Sequence, residues 1–163
     1  MNRQQIRLGL ALQEAGVDLS VKKFDQRLVL QKAVYLLQEA NIHLGYRFRW
    51  YLKGPYSPDL ADDVFTVAAL PDKGASEVAN WELDAASKKK VSLLKALFSK
   101  HTGPSLAKHL ELLASVLFLV RTGQAGPGNI RRIVEILHKN NKHFNESEVT
   151  GAFKELSSHG FAF

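Results

Sequence analysis

Leu28-Val29-Leu30-Gln31-Lys32-Ala33-Val34-Tyr35-Leu36-Leu37, followed a little later by Tyr51-Leu52-Lys53-Gly54-Pro55-Tyr56-Ser57-Pro58-Asp59-Leu60, decides how this chain folds. From Phe24 to Ala40, the apolar residues Phe24, Leu28, Leu30, Ala33, Val34 and Leu37 cover most of a helical surface, as expected of a central, buried helix. Gln31, Lys32, Tyr35 and Gln38 fall on neighbouring turns of that helix, so polar groups enter an apolar setting. A half-buried lysine is costly unless it is paired. Its expected partners are Asp59, Asp62 or Asp63 on the next helix, or Glu111 in a later apolar helix. The first reading of this cluster is a structural clamp that fixes helix register, and the second is a functional site.

After Gly45, the residues Tyr46, Phe48, Trp50 and Leu52 alternate with Arg47, Arg49, Tyr51 and Lys53. That is the period of an extended strand with one apolar and one basic face. Gly54-Pro55-Tyr56 reads as a turn. Ser57 suits an N-cap, Pro58 the first helical position, and Asp59 the positive end of the helix dipole. Leu60, Val64 and Val67 line one side of the helix that follows, which should stop before Pro71; Asp72–Asn80 reads as a loop.

Working outward, a short N-terminal helix is expected, capped by Asn2 and ended at Gly16, with Ile6, Leu10 and Val17 inward. A helix over Ala85–Lys100 turns Val91, Leu94 and Phe98 inward and leaves Lys88-Lys89-Lys90 in water. Gly103-Pro104 separates it from Ser105–Arg121, which reads as a second central helix. Gly123–Gly128 reads as a flexible loop. Two short helices close the chain: Ile130, Ile133, Val134 and Leu137 stripe the first, while Asn145 and Glu148 form a capping box for the second. Phe144 can staple onto Val149, and Gly160 reads as the C-cap. The expected fold is mainly α: one compact multi-helix domain over residues 1–163, with at most a small β element near residues 46–53 and a helix-pair subregion at 129–160.

A chain of 163 residues fits one core. The absence of cysteine excludes disulfides, a cysteine nucleophile and cysteine-containing zinc sites. No apolar signal core follows Met1-Asn2-Arg3-Gln4-Gln5, and the apolar run around Leu110–Val120 contains Glu111 and falls short of the roughly 20 residues of a membrane span. A soluble, cytoplasmic protein without membrane partner is the expectation. The formal charge of +6 favours polyanions or acidic protein surfaces without specifying either.

Gln31, Lys32 and Tyr35, the Gly54–Leu60 stretch and Leu110-Glu111-Leu112-Leu113-Ala114-Ser115 together resemble the uncharacterised bacterial YwgA-like proteins over most of the chain. More remotely, Gln31-Lys32…Tyr35…Gly54-Pro55 is similar to the Panacea domain, the SocA-like and antitoxin-associated module, over the first half of the chain. The Panacea resemblance implies binding and neutralising a partner toxin, or presenting a partner to other machinery. The YwgA-like resemblance implies no particular activity. What carries over is a small helical binding module with Gln31, Lys32, Tyr35, Gly54 and Pro55 as signature positions.

Catalytic motifs are missing from the sequence. The six histidines form neither a His-Glu-x-x-His helix nor a tight ligand cluster, so no metal is expected. Ser57 lacks a nucleophile elbow, and no glycine-rich phosphate loop appears. The expectation is a protein with no catalytic residue and no cofactor, acting by binding another protein through Tyr51, Gly54, Pro55 and Tyr56. The alternative is a nucleic-acid-binding transcriptional regulator. The C-terminal helix pair has a helix-turn-helix outline, but Glu146, Glu148 and Glu155 on its second helix oppose a phosphate-lined groove. Arg131, Arg132, Lys139 and Lys142 would then carry the contact, with Arg47 and Arg49 as a second set. Phe48 and Trp50 fall on the face opposite those arginines, which favours a core-anchored strand over a single-strand stacking platform.

Overall fold

The computed structural model describes residues 1–69 and 78–163. Among these residues the order is α1 (Arg3–Glu14), α2 (Phe24–Glu39), β1 (Arg49–Tyr51), β2 (Gly54–Tyr56), α3 (Pro58–Ala68), α4 (Ala85–Ser99), α5 (Gly103–Arg121), α6 (Ile130–Lys139) and α7 (Glu146–Ser158). The protein is mainly α, with one small antiparallel sheet. The expected end of the third helix before Pro71 agrees with α3, whereas most of the Asp72–Asn80 loop lies outside the described residues.

The two most deeply buried helices, α2 and α5, pack against one another as the central layer. α2 buries every residue from Val29 to Leu37, and α5 every residue from Leu110 to Leu119. No amphipathic stripe is needed where a helix is covered on all sides. By length and composition α5 is also apolar enough to cross a membrane; in this fold its apolar surface faces α2, β2 and α7. Pro104 lies inside the first turn of α5 and does not precede the helix, because proline there forfeits no helical hydrogen bond.

Caps at the helix starts follow the sequence signals. Asn2 and Gln5 form a capping box on α1, Asn145 and Glu148 form one on α7, and Ser57 Oγ accepts from Leu60 N at the start of α3. Phe24 departs from expectation. It is the first residue of α2 and 56% exposed, while Asp25 to Leu28 after it are half-buried.

The strand region is shorter than its alternation implies, and its turn lies elsewhere. Tyr46 is buried, Phe48 and Trp50 are partly buried against the core, and Arg47 and Arg49 point to solvent. The pattern ends at Leu52, which with Lys53 makes the two-residue turn of a hairpin registered as Arg49↔Tyr56, Trp50↔Pro55 and Tyr51↔Gly54. Leu52 is therefore 74% exposed instead of inward. Gly54-Pro55-Tyr56, expected as a turn, is the returning strand β2. Gly54 has φ +90°, a left-handed backbone that lets the chain leave so tight a turn.

Candidate partner-binding groove and its polar foundation

α2 fixes the hairpin with two side-chain amides placed seven residues apart, two helical turns or about 10.5 Å along the axis. Gln38 Nε2 donates to Tyr46 O, and Tyr46 N donates to Gln38 Oε1, both at 2.8 Å. At the other end Gln31 Nε2 donates to Ser57 O at 2.9 Å, and Ser57 N donates to Gln31 Oε1 at 3.0 Å. Each amide replaces a strand partner for one backbone residue, so a segment with little sheet of its own is held at both ends. Between them Lys32 Nζ donates to Pro55 O at 2.6 Å.

Lys32 thus has a neutral carbonyl as its direct partner, where sequence reasoning expected a carboxylate. Asp59 and Asp62 are exposed on the outer side of α3. Asp63 is taken by Tyr46 Oη at 2.7 Å and Gln5 Nε2 at 2.8 Å, tying α3 to α1 and to the start of the strand segment. Glu111 acts on Lys32 only at longer range, since its Oε1 accepts from Lys142 Nζ at 3.1 Å. Burial lowers the Lys32 amine to about 7; the Glu111 charge opposes that shift and the Lys142 charge adds to it.

Lys142, expected on a nucleic-acid surface, is buried. Its ammonium group binds Glu111 and donates to Leu52 O, so a second lysine grips the hairpin from its other end. The chain leaves α6 through Asn141 at φ +57°, and the next residue turns back into the core. Burial also lowers the Lys142 amine, against the raising effect of Glu111. Nothing in the sequence marked Lys142 as inward, because a single lysine after a helix end has no periodicity to place it.

Tyr35, grouped with the polar cluster from sequence, belongs to an aromatic stack. Its ring meets Phe48 edge-on at 5.2 Å and Phe118 at 6.0 Å, and Trp50 meets Phe118 at 5.7 Å. Trp50 Nε1 also donates to Asn140 Oδ1 at 3.1 Å. The inward aromatics are thus consumed by packing.

On the outer side of this foundation, a cavity of about 430 Å³ opens between the start of α2, the hairpin turn and α3. Apolar side chains dominate its lining: Phe24, Leu28, Tyr51, Leu52, Tyr56, Ala61, Val64 and Phe65, with Gln31 and Lys32 beside them. Of the seven large hydrophobic residues left exposed among the described residues, Phe24, Tyr51, Leu52 and Phe65 all line this one cavity. Tyr51 is 56% exposed and Tyr56 is half-buried, with ring centroids 5.3 Å apart. Arg27 and Lys53 are the other charged groups in the lining, which includes no carboxylate.

The expected partner-binding residues therefore divide. Tyr51 and Tyr56 face the cavity, whereas Gly54 and Pro55 are buried and serve as the mount. Phe24, Leu28, Leu52 and Phe65 were missed; three come from separate turns of α2 and α3, and only the fold brings them together. Arg131, Arg132 and Lys139 are exposed on α6. Among the described residues, no three His, Asp or Glu side chains converge as a metal-ligand set. No known family model, curated protein or solved structure matches this chain.

Proposed function

We propose that this protein is a non-enzymatic binding module that recognises another protein through the groove at the hairpin turn, in the regulatory or toxin-neutralising setting implied by its remote resemblance to Panacea domains. The observation that carries this reading is the gathering of Phe24, Tyr51, Leu52 and Phe65 around one cavity. Singly exposed hydrophobic residues are ordinary, but a contiguous patch around a concavity is the usual form of an interaction site. Tyrosine pairs are also frequent among interface hot spots. The foundation supports the same reading: the hairpin is pinned by Gln31, Lys32, Gln38 and Lys142, so little conformational entropy remains to be lost on binding.

The nucleic-acid reading has less support. Arg47 and Arg49 are exposed, yet the aromatics beside them, Phe48 and Trp50, pack on Tyr35 and Phe118 and offer no stacking face. The test is capture of native-cell proteins by the full chain and by a folded Tyr51→Ala, Tyr56→Ala double variant. Loss of the same specific partner from the double variant is the expected result. Undiminished capture rules this surface out, and binding to RNA or DNA that collapses steeply with salt would replace the reading with the nucleic-acid one.

A further inference from the structure

Exposure and charge around the groove specify the chemistry of its occupant. Leu52 is 74% exposed and Phe65 55% exposed although both line the cavity, so much of their apolar surface faces bulk water. A macromolecular segment, lying across the rim with a side chain inserted, removes all of this apolar surface from water. The volume of about 430 Å³ accommodates one or two large apolar side chains.

The charged side chains of the cavity lining are all basic, whereas Asp25 and Glu111 line the adjoining hollow that shares Phe24, Leu28 and Lys53. Arg27 donates only to backbone carbonyls, to Val21 O at 2.7 Å and Lys22 O at 3.2 Å. Lys53 sits in the exposed hairpin turn. Among the described residues neither is in an ion pair, although Lys142, Arg121 and Arg132 each have one. Two cations flanking an apolar, carboxylate-free cavity complement an anionic neighbour to an apolar anchor.

We infer that the groove takes a segment of a partner protein that inserts a large apolar side chain between Tyr51, Tyr56 and Phe65 and carries Asp or Glu nearby to meet Arg27 and Lys53. This inference rests on the groove reading and narrows it to an acidic, amphipathic partner. A segment with basic flanks would bring like charge to both rim cations. Nucleic acid would satisfy the cations, and a base could stack on Tyr51 or Tyr56, but it would leave the aliphatic lining of Leu28, Leu52 and Val64 without an apolar side chain to cover it.

Selection of a randomised 12-residue phage-displayed peptide library on the immobilised full chain tests it, with enriched peptides resynthesised and their binding measured by fluorescence anisotropy. The expected peptides pair Trp, Phe or Leu with Asp or Glu within four residues. Their affinity should fall about tenfold or more against Phe65→Asp, and about fivefold against an Arg27→Gln, Lys53→Gln double variant, while Lys139→Gln changes nothing. Circular dichroism and thermal melting establish that each variant is folded. Peptides that bind Phe65→Asp as well as wild type would overturn the groove reading itself. Peptides sensitive to Phe65→Asp, yet indifferent to the Arg27 and Lys53 changes or flanked by Lys and Arg, would leave the groove standing and overturn the acidic partner. Absence of enrichment would overturn the inference, and dodecanoate binding lost in Phe65→Asp would then assign the cavity to a small amphiphile.

Discussion

Lys32 Nζ and the Pro55 carbonyl meet at 2.6 Å in the interior, with Lys32 only 1% exposed. Burial penalises the charged form of the amine, and with no carboxylate in direct contact it is lowered from the usual 10.5 to about 7. The unfolded chain then binds more protons than the folded one between about pH 7 and 10.5, so this group makes stability rise with pH across that window. Tyr35 and Tyr46 are pushed upward, by burial first, and oppose the trend only above their ordinary value near 10.

Urea denaturation at pH 6, 7, 8 and 9 should therefore give increasing stability for the wild type and a flatter profile for Lys32→Met. At pH 9 the variant should be less stable by about 1–3 kcal/mol, because Pro55 O loses its buried donor. That deficit should shrink toward pH 6, where the wild type carries the cost of a buried charge. Parallel profiles would show that Lys32 titrates normally.

Gly54 and Ser115 are in closer approach than any other residue would permit. A Cβ at Gly54 would lie 2.5 Å from Ser115 Oγ, on a backbone at φ +90°. Gly54→Ala should cost at least about 2 kcal/mol from the left-handed strain and the clash together. Ser115 Oγ is buried without a hydrogen-bond partner, so Ser115→Ala should be neutral or mildly stabilising. The Gly54→Ala cost should fall in the Ser115→Ala background, leaving the strain alone. Additive chemical-denaturation energies would contradict the contact.

Lys142 and Glu111 form a buried ion pair at 3.1 Å that also holds the hairpin through Leu52 O. Lys142→Met strands the Glu111 carboxylate and should cost about 3 kcal/mol by equilibrium unfolding. Adding Glu111→Leu should recover part of that loss. A double variant less stable than Lys142→Met would mean that Glu111 serves a different partner.

Helices, caps and the central position of α2 were legible because each rests on local chemistry: apolar period, Asn or Ser at an entrance, glycine at an exit. The polar positions Gln31, Lys32 and Gln38 were legible as groups needing partners. Their partners were not, since backbone carbonyls and amides of Tyr46, Pro55 and Ser57 have no sequence signature, whereas Asp59 and Asp62 drew attention by charge and proved to be exposed. Alternation placed Tyr46, Phe48 and Trp50 inward but could not see the turn at Leu52-Lys53, because those two residues continue the same apolar and basic alternation. The groove was half legible: Tyr51 and Tyr56 are neighbours across the hairpin, while Phe24 and Phe65 reach it only through the packing of α2 and α3.

The proposed site of partner binding is the hairpin-turn groove. Its most direct test is site-specific photocrosslinking in the native cell, with benzoylphenylalanine placed at Leu52 in the groove rim or at Leu93, which is 61% exposed on α4 outside the groove lining. The expected result is a discrete protein adduct from position 52 that is absent from position 93 and disappears with Phe65→Asp. Equal labelling from both positions, or adducts from position 93 alone, would contradict it.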